Sequence, residues 1–157
     1  MRRSMISAAL LVASMAAAPG QGVSSAAVPY CSELKQVTAL ALGRDRFASI
    51  AGPARAGNFR DTSLSLTGWK DCSLYGAGAY TCDSQAFGTA DAAQAAQSTI
   101  VRDVLACLGT EWAEIKDRSS PGYVVLHPLR GAVSITLSLD ENDDKQHVVR
   151  FTLFIRR

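Results

Sequence analysis

The stretch KDCSLYGAGAYTCDS, residues 70–84, contains two of the four cysteines of the chain. Apolar and polar residues alternate on both sides of Gly76-Ala77-Gly78, which is the pattern of two strands joined by a tight loop. In a hairpin centred on Ala77, Cys72 lies opposite Cys82. Opposed residues have Cβ atoms about 4.5–5.5 Å apart, which is close to the separation that a disulfide needs. The stretch therefore predicts a cross-strand disulfide.

The other two cysteines, Cys31 and Cys107, lie at the start of one predicted helix and near the end of another. One hairpin separates these helices, so we expect them to run antiparallel and to bring Cys31 close to Cys107. We predict the pairs Cys72–Cys82 and Cys31–Cys107. The same topology brings the hairpin loop near that end of the domain, so crossed pairings stay open.

Metal binding and thiol chemistry are weaker interpretations of the cysteines. Zinc sites and redox dithiols favour spacings such as C-x-x-C, and no two cysteines here are that close. The two histidines, His127 and His147, lie in strand patterns. A catalytic Cys–His pair would need a free thiol in an oxidising compartment. We expect no metal site, no cofactor and no catalytic residue.

Hydrophobic spacing predicts two helices, at residues 32–51 and from Thr89 to about Leu108. Ser32 is the expected cap of the first helix, and Gly109 is the expected stop of the second. Strand patterns cover residues 64–67, 71–75, 79–83, 123–127, 132–139 and 147–155, whereas residues 53–61 have the composition of a polar loop.

One apolar and one polar face per strand indicates an antiparallel sheet that is covered on one side. The predicted fold is α+β: a two-layer sandwich in which two helices cover a sheet of about five strands. The predicted order is α-β-β-α-β-β-β, stapled by disulfides. Residues 112–116 fit either a last helical turn or a short extended piece.

The first 27 residues have the layout of a secretory signal peptide. Arg2 and Arg3 precede an uncharged apolar run of about 14 residues, which is shorter than the roughly 20 that a spanning helix needs. Ser25-Ala26-Ala27 fits a cleavage site. We therefore expect a single mature domain at residues 28–157, without a stable membrane anchor and located in the periplasm or secreted.

The mature chain is expected to be electrically neutral. Cleavage removes Arg2 and Arg3, so 14 of the 16 Lys and Arg residues remain, equal to the 14 Asp and Glu residues. A neutral domain with scattered basic residues has no field that attracts phosphates, so we expect no nucleic-acid partner.

Three sets of residues are candidates for binding or chemistry. Trp69 and Tyr75 are candidates for a weak recognition patch on the outward side of the hairpin, but core or edge packing is the favoured interpretation, and a bulge at Gly68 would bury Trp69 instead. Asp71 and Asp83 are opposed in the hairpin register, as the carboxylates of a hydrolase are. The acidic segment DENDD, residues 140–144, is expected to be a hairpin loop, with weak cation binding as the alternative.

The chain resembles small exported proteins of bacteria in its scattered cysteines, its YTC segment and its CLGTEW segment. This resemblance assigns no functional residue. We expect an exported, non-enzymatic binding protein of the bacterial envelope that binds or inhibits another protein, as inhibitors and immunity proteins do. Two alternatives stay open: a small carboxylate-dependent hydrolase, and a structural subunit of an envelope assembly. The oligomeric state is not predicted.

A peptide map of the exported protein under non-reducing conditions tests the processing and the disulfides together. We expect the N-terminus at Val28 and two cross-linked peptide pairs, one joining Cys72 to Cys82 and one joining Cys31 to Cys107. Crossed pairs would contradict the predicted topology. A free thiol would favour the reactive-cysteine interpretation instead.

Overall fold

Two helices and one continuous antiparallel sheet form the fold in the computed structural model, which describes residues 27–44, 46–142 and 144–156. Residues 1–26, which contain most of the predicted signal peptide, lie outside the described residues. The helices are α1 (Cys31–Leu42) and α2 (Ala90–Leu108), with short 3-10 helices at Ala48–Ile50 and Lys116–Arg118. The strands are β1 (Ala51–Ala54), β2 (Phe59–Thr62), β3 (Lys70–Tyr75), β4 (Ala79–Asp83), β5 (Trp112–Glu114), β6 (Tyr123–Pro128), β7 (Val133–Glu141) and β8 (His147–Ile155).

The order of elements along the chain divides it into two similar halves, each with one helix followed by four strands. The strands lie side by side in the order β1-β2-β3-β4-β8-β7-β6-β5, so the halves meet where β4 pairs with β8. No helix in the described part of the chain is long and apolar enough to cross a membrane.

The α+β class, the two helices and the antiparallel sheet agree with the sequence prediction, but the expected count of about five strands is wrong. The sheet has eight strands, and the order is αββββαββββ. Strands β1 and β2 lie in the segment that was expected to be a loop, because Gly52, Pro53 and Gly57 are typical of loops. Both strands have only four residues, and neither shows an alternation of apolar and polar side chains.

The predicted strand at residues 64–67 is also wrong, since no strand forms there. Leu66 is buried all the same, and the segment is a loop that contributes an apolar side chain to the core. At residues 112–116 the extended alternative is correct, because Trp112–Glu114 forms β5.

The first helix is shorter than predicted, and the second closely matches its pattern. Helix α1 ends at Leu42, followed by Gly43, instead of continuing to residue 51. Ser32 lies inside α1 and donates a hydrogen bond to the carboxylate of Glu33, so it is not the cap. In α2, the Thr89 hydroxyl accepts from the backbone N–H of Ala92 at 3.2 Å, as an N-cap does.

The core lies between the helices and one face of the sheet. Its fully buried members include Leu34 and Val37 of α1, together with Phe151 and Leu153 of β8. Each such side chain contributes about 1.5–3 kcal/mol through removal of apolar surface from water. Gln97 of α2 is also buried, and its Nε2 donates to the Leu137 carbonyl at 2.7 Å, which ties the helix to the sheet.

Two disulfides join the pairs Cys72–Cys82 and Cys31–Cys107, the pairings that the hairpin register and the antiparallel helices predict. The first links β3 to β4, with Cα atoms 4.1 Å apart. The second links the start of α1 to the end of α2, with Cα atoms 5.5 Å apart, and so connects the two halves of the chain.

Removal of the two disulfides should have unequal effects on stability. The bridges close loops of 76 and 10 residues in sequence separation. Restriction of the unfolded chain then contributes about 4.5 kcal/mol for Cys31–Cys107 and about 3 kcal/mol for Cys72–Cys82. We expect the double variant C31S/C107S to lose more free energy of unfolding than C72S/C82S in urea denaturation. A larger loss from the hairpin pair would contradict the loop-closure explanation.

Candidate functional site

One face of the sheet is not covered by any described helix, and we call it the open face. Helices α1 and α2 pack on the other face, against apolar side chains such as Ile135 and Phe151. Side chains alternate along a strand, so the neighbours of these core residues point to the open face. The strand registers arrange the outward residues into three lateral rows across the middle of the sheet.

The aromatic row crosses β2, β3, β4 and β8 and consists of Phe59, Tyr75, Ala79 and Phe154. The ring centroids of Phe59 and Tyr75 are 5.0 Å apart. The exposed fractions of Phe59, Tyr75 and Phe154 are 40%, 49% and 39%. These aromatic side chains lie in one row at one end of the open face, and exposed groups of apolar side chains are candidate interaction sites.

The hydroxyl row lies beside the aromatic row and consists of Ser73, Thr81, Thr152 and Thr136. The Thr81 hydroxyl donates to the Phe151 carbonyl at 3.0 Å, and its oxygen is 3.2 Å from the Thr152 hydroxyl oxygen. The side chains in this row are short, so the row forms the floor of a shallow depression of about 440 Å³ that members of all three rows line.

The ionic row completes the open face with Asp83, Arg150 and Ser138. Arg150 donates from Nε and Nη2 to both carboxylate oxygens of Asp83, at 2.7 and 3.0 Å. Its Nη1 lies 3.2 Å from a carboxylate oxygen of Asp140. The hydrogen bonds with Asp83 raise the pKa of Arg150 above its ordinary value. Arg150 is thus held charged and in one orientation across β4 and β8.

Of the two aromatic residues predicted for binding, Tyr75 lies on the open face and Trp69 does not. A register shift separates the pair Lys70–Asp83 from the pair Ser73–Thr81, so β3 has one extra residue there. Asp71 in this bulge has a positive φ of 49°. Because of the extra residue, the side chains that precede the bulge point to the opposite side of the sheet from the one that the hairpin register predicts. Trp69 therefore packs on the core side against Tyr30 and Phe151.

The same bulge changes the positions of the hairpin carboxylates. Lys70, and not Asp71, is the register partner of Asp83. Both oxygens of Asp83 are bonded to Arg150. The four cysteines are joined in disulfides, and in the described part of the chain no group of three or more His, Cys, Asp or Glu side chains is arranged to hold a metal ion.

The acidic segment at residues 140–144 begins inside β7, because Asp140 and Glu141 pair with Val148 and His147 of β8. Asn142 Oδ1 accepts from the backbone N–H groups of Asp144 and Gln146, at 3.1 and 2.9 Å, which closes the turn. Asp143 lies outside the described residues. The strands β7 and β8 are joined by a hairpin turn, as expected, but the turn begins at Asn142 and not at Asp140, whose carboxylate lies 3.2 Å from Arg150 Nη1 on the open face.

Two members of the aromatic row were missed from the sequence. Phe59 was assigned to a loop, because β2 carries no alternating pattern. Phe154 occupies an outward position of β8, between Leu153 and Ile155, after the polar outward residues Arg150 and Thr152. The aromatic side chain of Phe154 at an outward position of β8 was the one sequence signal that could have indicated the aromatic row.

Comparisons of the chain with family models, curated proteins and solved structures find no match. The arguments on function below therefore rest on the residues and their geometry.

A double-mutant cycle tests whether the ionic row is an ordered part of the open face. The variants D83A and R150A, alone and combined, should give a coupling free energy of about 1 kcal/mol, because the Asp83 side chain is only 18% exposed and the pair is bidentate. Arg55–Asp61, with side chains 50% and 40% exposed, is the matched control and should couple by about 0.5 kcal/mol or less. Equal coupling in the two pairs, measured by urea denaturation, would contradict this ordering.

Proposed function

We propose that this chain is an exported, non-enzymatic protein of the bacterial envelope that binds another protein through the open face and thereby inhibits or neutralises it. The aromatic row is the observation that carries this proposal. Phe59, Tyr75 and Phe154 lie in one row of the open face and are partly exposed, whereas the hydroxyl row beside them is polar. Burial of such side chains at an interface is favourable, because it removes apolar surface from water.

The rest of the open face has the composition of an interface rim. Short hydroxyl side chains lie next to the aromatic row, and Arg150 with its acidic partners lies beyond them. Interfaces commonly join aromatic anchors to a polar rim in which arginine is enriched. A partner that buries the aromatic row would lie over the hydroxyl row and would meet Arg150 at its far side.

The edges of the sheet favour the open face over strand addition as the mode of binding. Strand β1 has four residues and contains Pro53, and β5 has three residues. Short edges and an edge proline oppose pairing with another chain. This argues against a structural subunit that assembles through its sheet edges.

The non-enzymatic assignment is supported by the state of the acidic groups on the open face. Asp83 is bonded to Arg150, and Asp61 forms an ion pair with Arg55. Carboxylates that are satisfied by arginine are poor proton donors and nucleophiles, whereas a hydrolase needs two converging groups that are free to act. The pairing of Asp83 and Asp61 with arginines therefore argues against a hydrolase that uses either of these two carboxylates.

Export is supported by the two disulfides together with the signal-peptide pattern of residues 1–27. Disulfides form and persist in oxidising compartments such as the periplasm and the extracellular medium. The proposed location is thus the periplasm or the exterior of the cell.

Capture from an envelope extract of the source cells, followed by titration of the purified partner, tests the proposal. We expect the oxidised domain at residues 28–157 to retain a stoichiometric protein partner. The double variant Y75A/F154A should weaken binding by at least about thirtyfold, because it removes two central aromatic contacts.

The matched control is L42A, which changes an exposed large apolar residue of α1, away from the open face. It should bind the partner as the unchanged domain does. Equal weakening by L42A, or retention of the partner by Y75A/F154A, would contradict an interface on the open face. Absence of any stoichiometric partner would contradict the binding function itself.

A further inference from the structure

Several arginines that are scattered along the sequence lie at one end of the folded molecule. Arg44 and Arg46 follow α1 in the chain. Arg130 lies in the turn between β6 and β7, and Arg156 follows β8. All four residues are exposed, and none forms an ion pair with a carboxylate in the described part of the chain. Basic and acidic residues are equal in number over residues 28–157, so a positive surface arises here only through the fold.

Contacts around Gly131 bring these segments together. A Cβ atom at Gly131 would lie only 3.0 Å from Cδ2 of Leu42, so the end of α1 packs on the turn between β6 and β7. Arg156 donates from Nη2 to the Gly131 carbonyl at 3.2 Å, and from its backbone N–H to the Ala132 carbonyl at 2.6 Å. Leu42, Arg46 and Arg156 also line one small hollow of about 180 Å³. The end of α1, the β6–β7 turn and the end of β8 therefore share one surface.

Two exposed leucines lie beside these arginines. Leu42 is 52% exposed, and Leu129 in the β6–β7 turn is 68% exposed. Leu129 is directly followed by Arg130, and Leu42 lies two residues before Arg44, so each leucine has a cationic neighbour in the chain. A single exposed leucine is common on protein surfaces, and the combination with arginines that have no ion-pair partner is what distinguishes this surface. We call it the leucine–arginine patch; its members are Leu42, Arg44, Arg46, Leu129, Arg130 and Arg156.

Many of the carboxylates lie at the opposite end of the sheet. Strand β7 has nine residues and begins next to the leucine–arginine patch, where Val133 pairs with Ile155. It ends about 25 Å away, at the turn that leads into β8. The carboxylates at that end are those of Asp71, Asp83, Asp140, Glu141 and Asp144. The molecule therefore has a basic end and an acidic end.

Few negative charges lie close to the leucine–arginine patch. Glu111 is adjacent to it, because its backbone carbonyl accepts from the N–H of Leu129 at 2.7 Å. Asp45 and Arg157 lie outside the described residues, and their charges are opposite. The four arginines of the patch thus outnumber the neighbouring carboxylate, and the surface attracts anions.

An anionic lipid surface fits this combination of groups better than a small ligand or an acidic peptide does. The hollow of about 180 Å³ is smaller than the roughly 300–1,000 Å³ that is usual for small-molecule sites. Guanidinium groups match the geometry of phosphate oxygens, which lipid headgroups supply. An acidic peptide would meet the arginines but would offer the two leucines no apolar layer. A bilayer offers both, because acyl chains lie directly beneath its phosphates.

From these observations we propose that the leucine–arginine patch binds reversibly to the surface of an anionic phospholipid bilayer. The arginines contact headgroup phosphates, and the side chains of Leu42 and Leu129 enter the boundary of the acyl chains. Each arginine near such a surface strengthens binding about fivefold. This contact holds the protein at a membrane without a spanning segment, and it does not depend on the proposed function of the open face.

Flotation of the oxidised domain with lipid vesicles tests the proposal. Residues 28–157 are used, because they include every described helix and strand and both disulfides and lack the apolar run of residues 1–27, which would itself bind lipid. One set of vesicles is phosphatidylcholine, and the other is an equal mixture of phosphatidylcholine and phosphatidylglycerol. We expect at least about tenfold tighter binding to the mixed vesicles, weakened by added salt. Equal affinity for both sets, or absence of binding to the mixed vesicles, would overturn the proposal.

Charge-removing variants locate the binding surface. R44Q/R130Q should weaken binding to the mixed vesicles by at least about tenfold, because two arginines of the leucine–arginine patch lose their charge. The matched control is R102Q/R118Q, which removes the same charge from two exposed arginines in α2 and in the 3-10 helix Lys116–Arg118. Unchanged affinity in R44Q/R130Q, or an equal loss in R102Q/R118Q, would overturn the assignment to the patch.

The leucines separate a lipid surface from an acidic protein. L42A and L129A should each weaken binding to the mixed vesicles by at least about threefold, because less apolar surface enters the acyl chains. The control is Y123A, which removes an exposed apolar side chain at the far end of β6 and should bind as the unchanged domain does. Unchanged affinity in both leucine variants, or equally tight binding to soluble polyglutamate, would replace the lipid surface by an acidic polypeptide.

The variant L42A also separates this proposal from the proposed function. It is expected to retain the protein partner of the open face and to bind the mixed vesicles more weakly. Failure of vesicle binding is therefore distinguishable from failure of the open face to bind a protein.

Discussion

The pairing of β4 with β8 is the contact on which the rest of the structure depends. The two halves of the chain each form a helix and a four-stranded meander, and this pair of strands joins them into one sheet. The functional features of the open face cross the same seam: Ala79 is opposite Phe154, Thr81 is opposite Thr152, and Asp83 is bonded to Arg150. Neither half alone would present the three rows.

The disulfides and the core stabilise that seam in different ways. Cys31–Cys107 restricts the unfolded chain by connecting the helices of the two halves, whereas Cys72–Cys82 acts within the first half alone. The core contributes through burial of β8 side chains such as Phe151, which also meets the rings of Trp69 and Tyr80. One strand therefore supports the open face with its outward residues and the core with its inward residues.

Features formed by residues that are close together in the chain were predictable from the sequence, whereas features formed by distant residues were not. The hairpin at residues 70–84 was predictable because its strands and its loop are adjacent in the chain, and Ser73 faces Thr81 as expected. Strands β1 and β2 were missed, because each has only four residues and neither shows an alternation of apolar and polar side chains. For the same reason Phe59 was missed, and with it the aromatic row. The bulge at Asp71 moved Trp69 to the core side; Gly68 indicated a bulge in this region, but not the residue at which the register shifts.

By itself, the sequence determined the α+β class, the positions of the two helices and the opposition of Cys72 and Cys82, since each depends on spacing between near neighbours along the chain. Only the tertiary structure decided that the sheet has eight strands and that Phe59, Tyr75 and Phe154 form one row. Phe59 and Phe154 are brought together by strand pairing between the halves. A contact of that kind depends on the order of strands across the sheet, which local side-chain patterns do not encode.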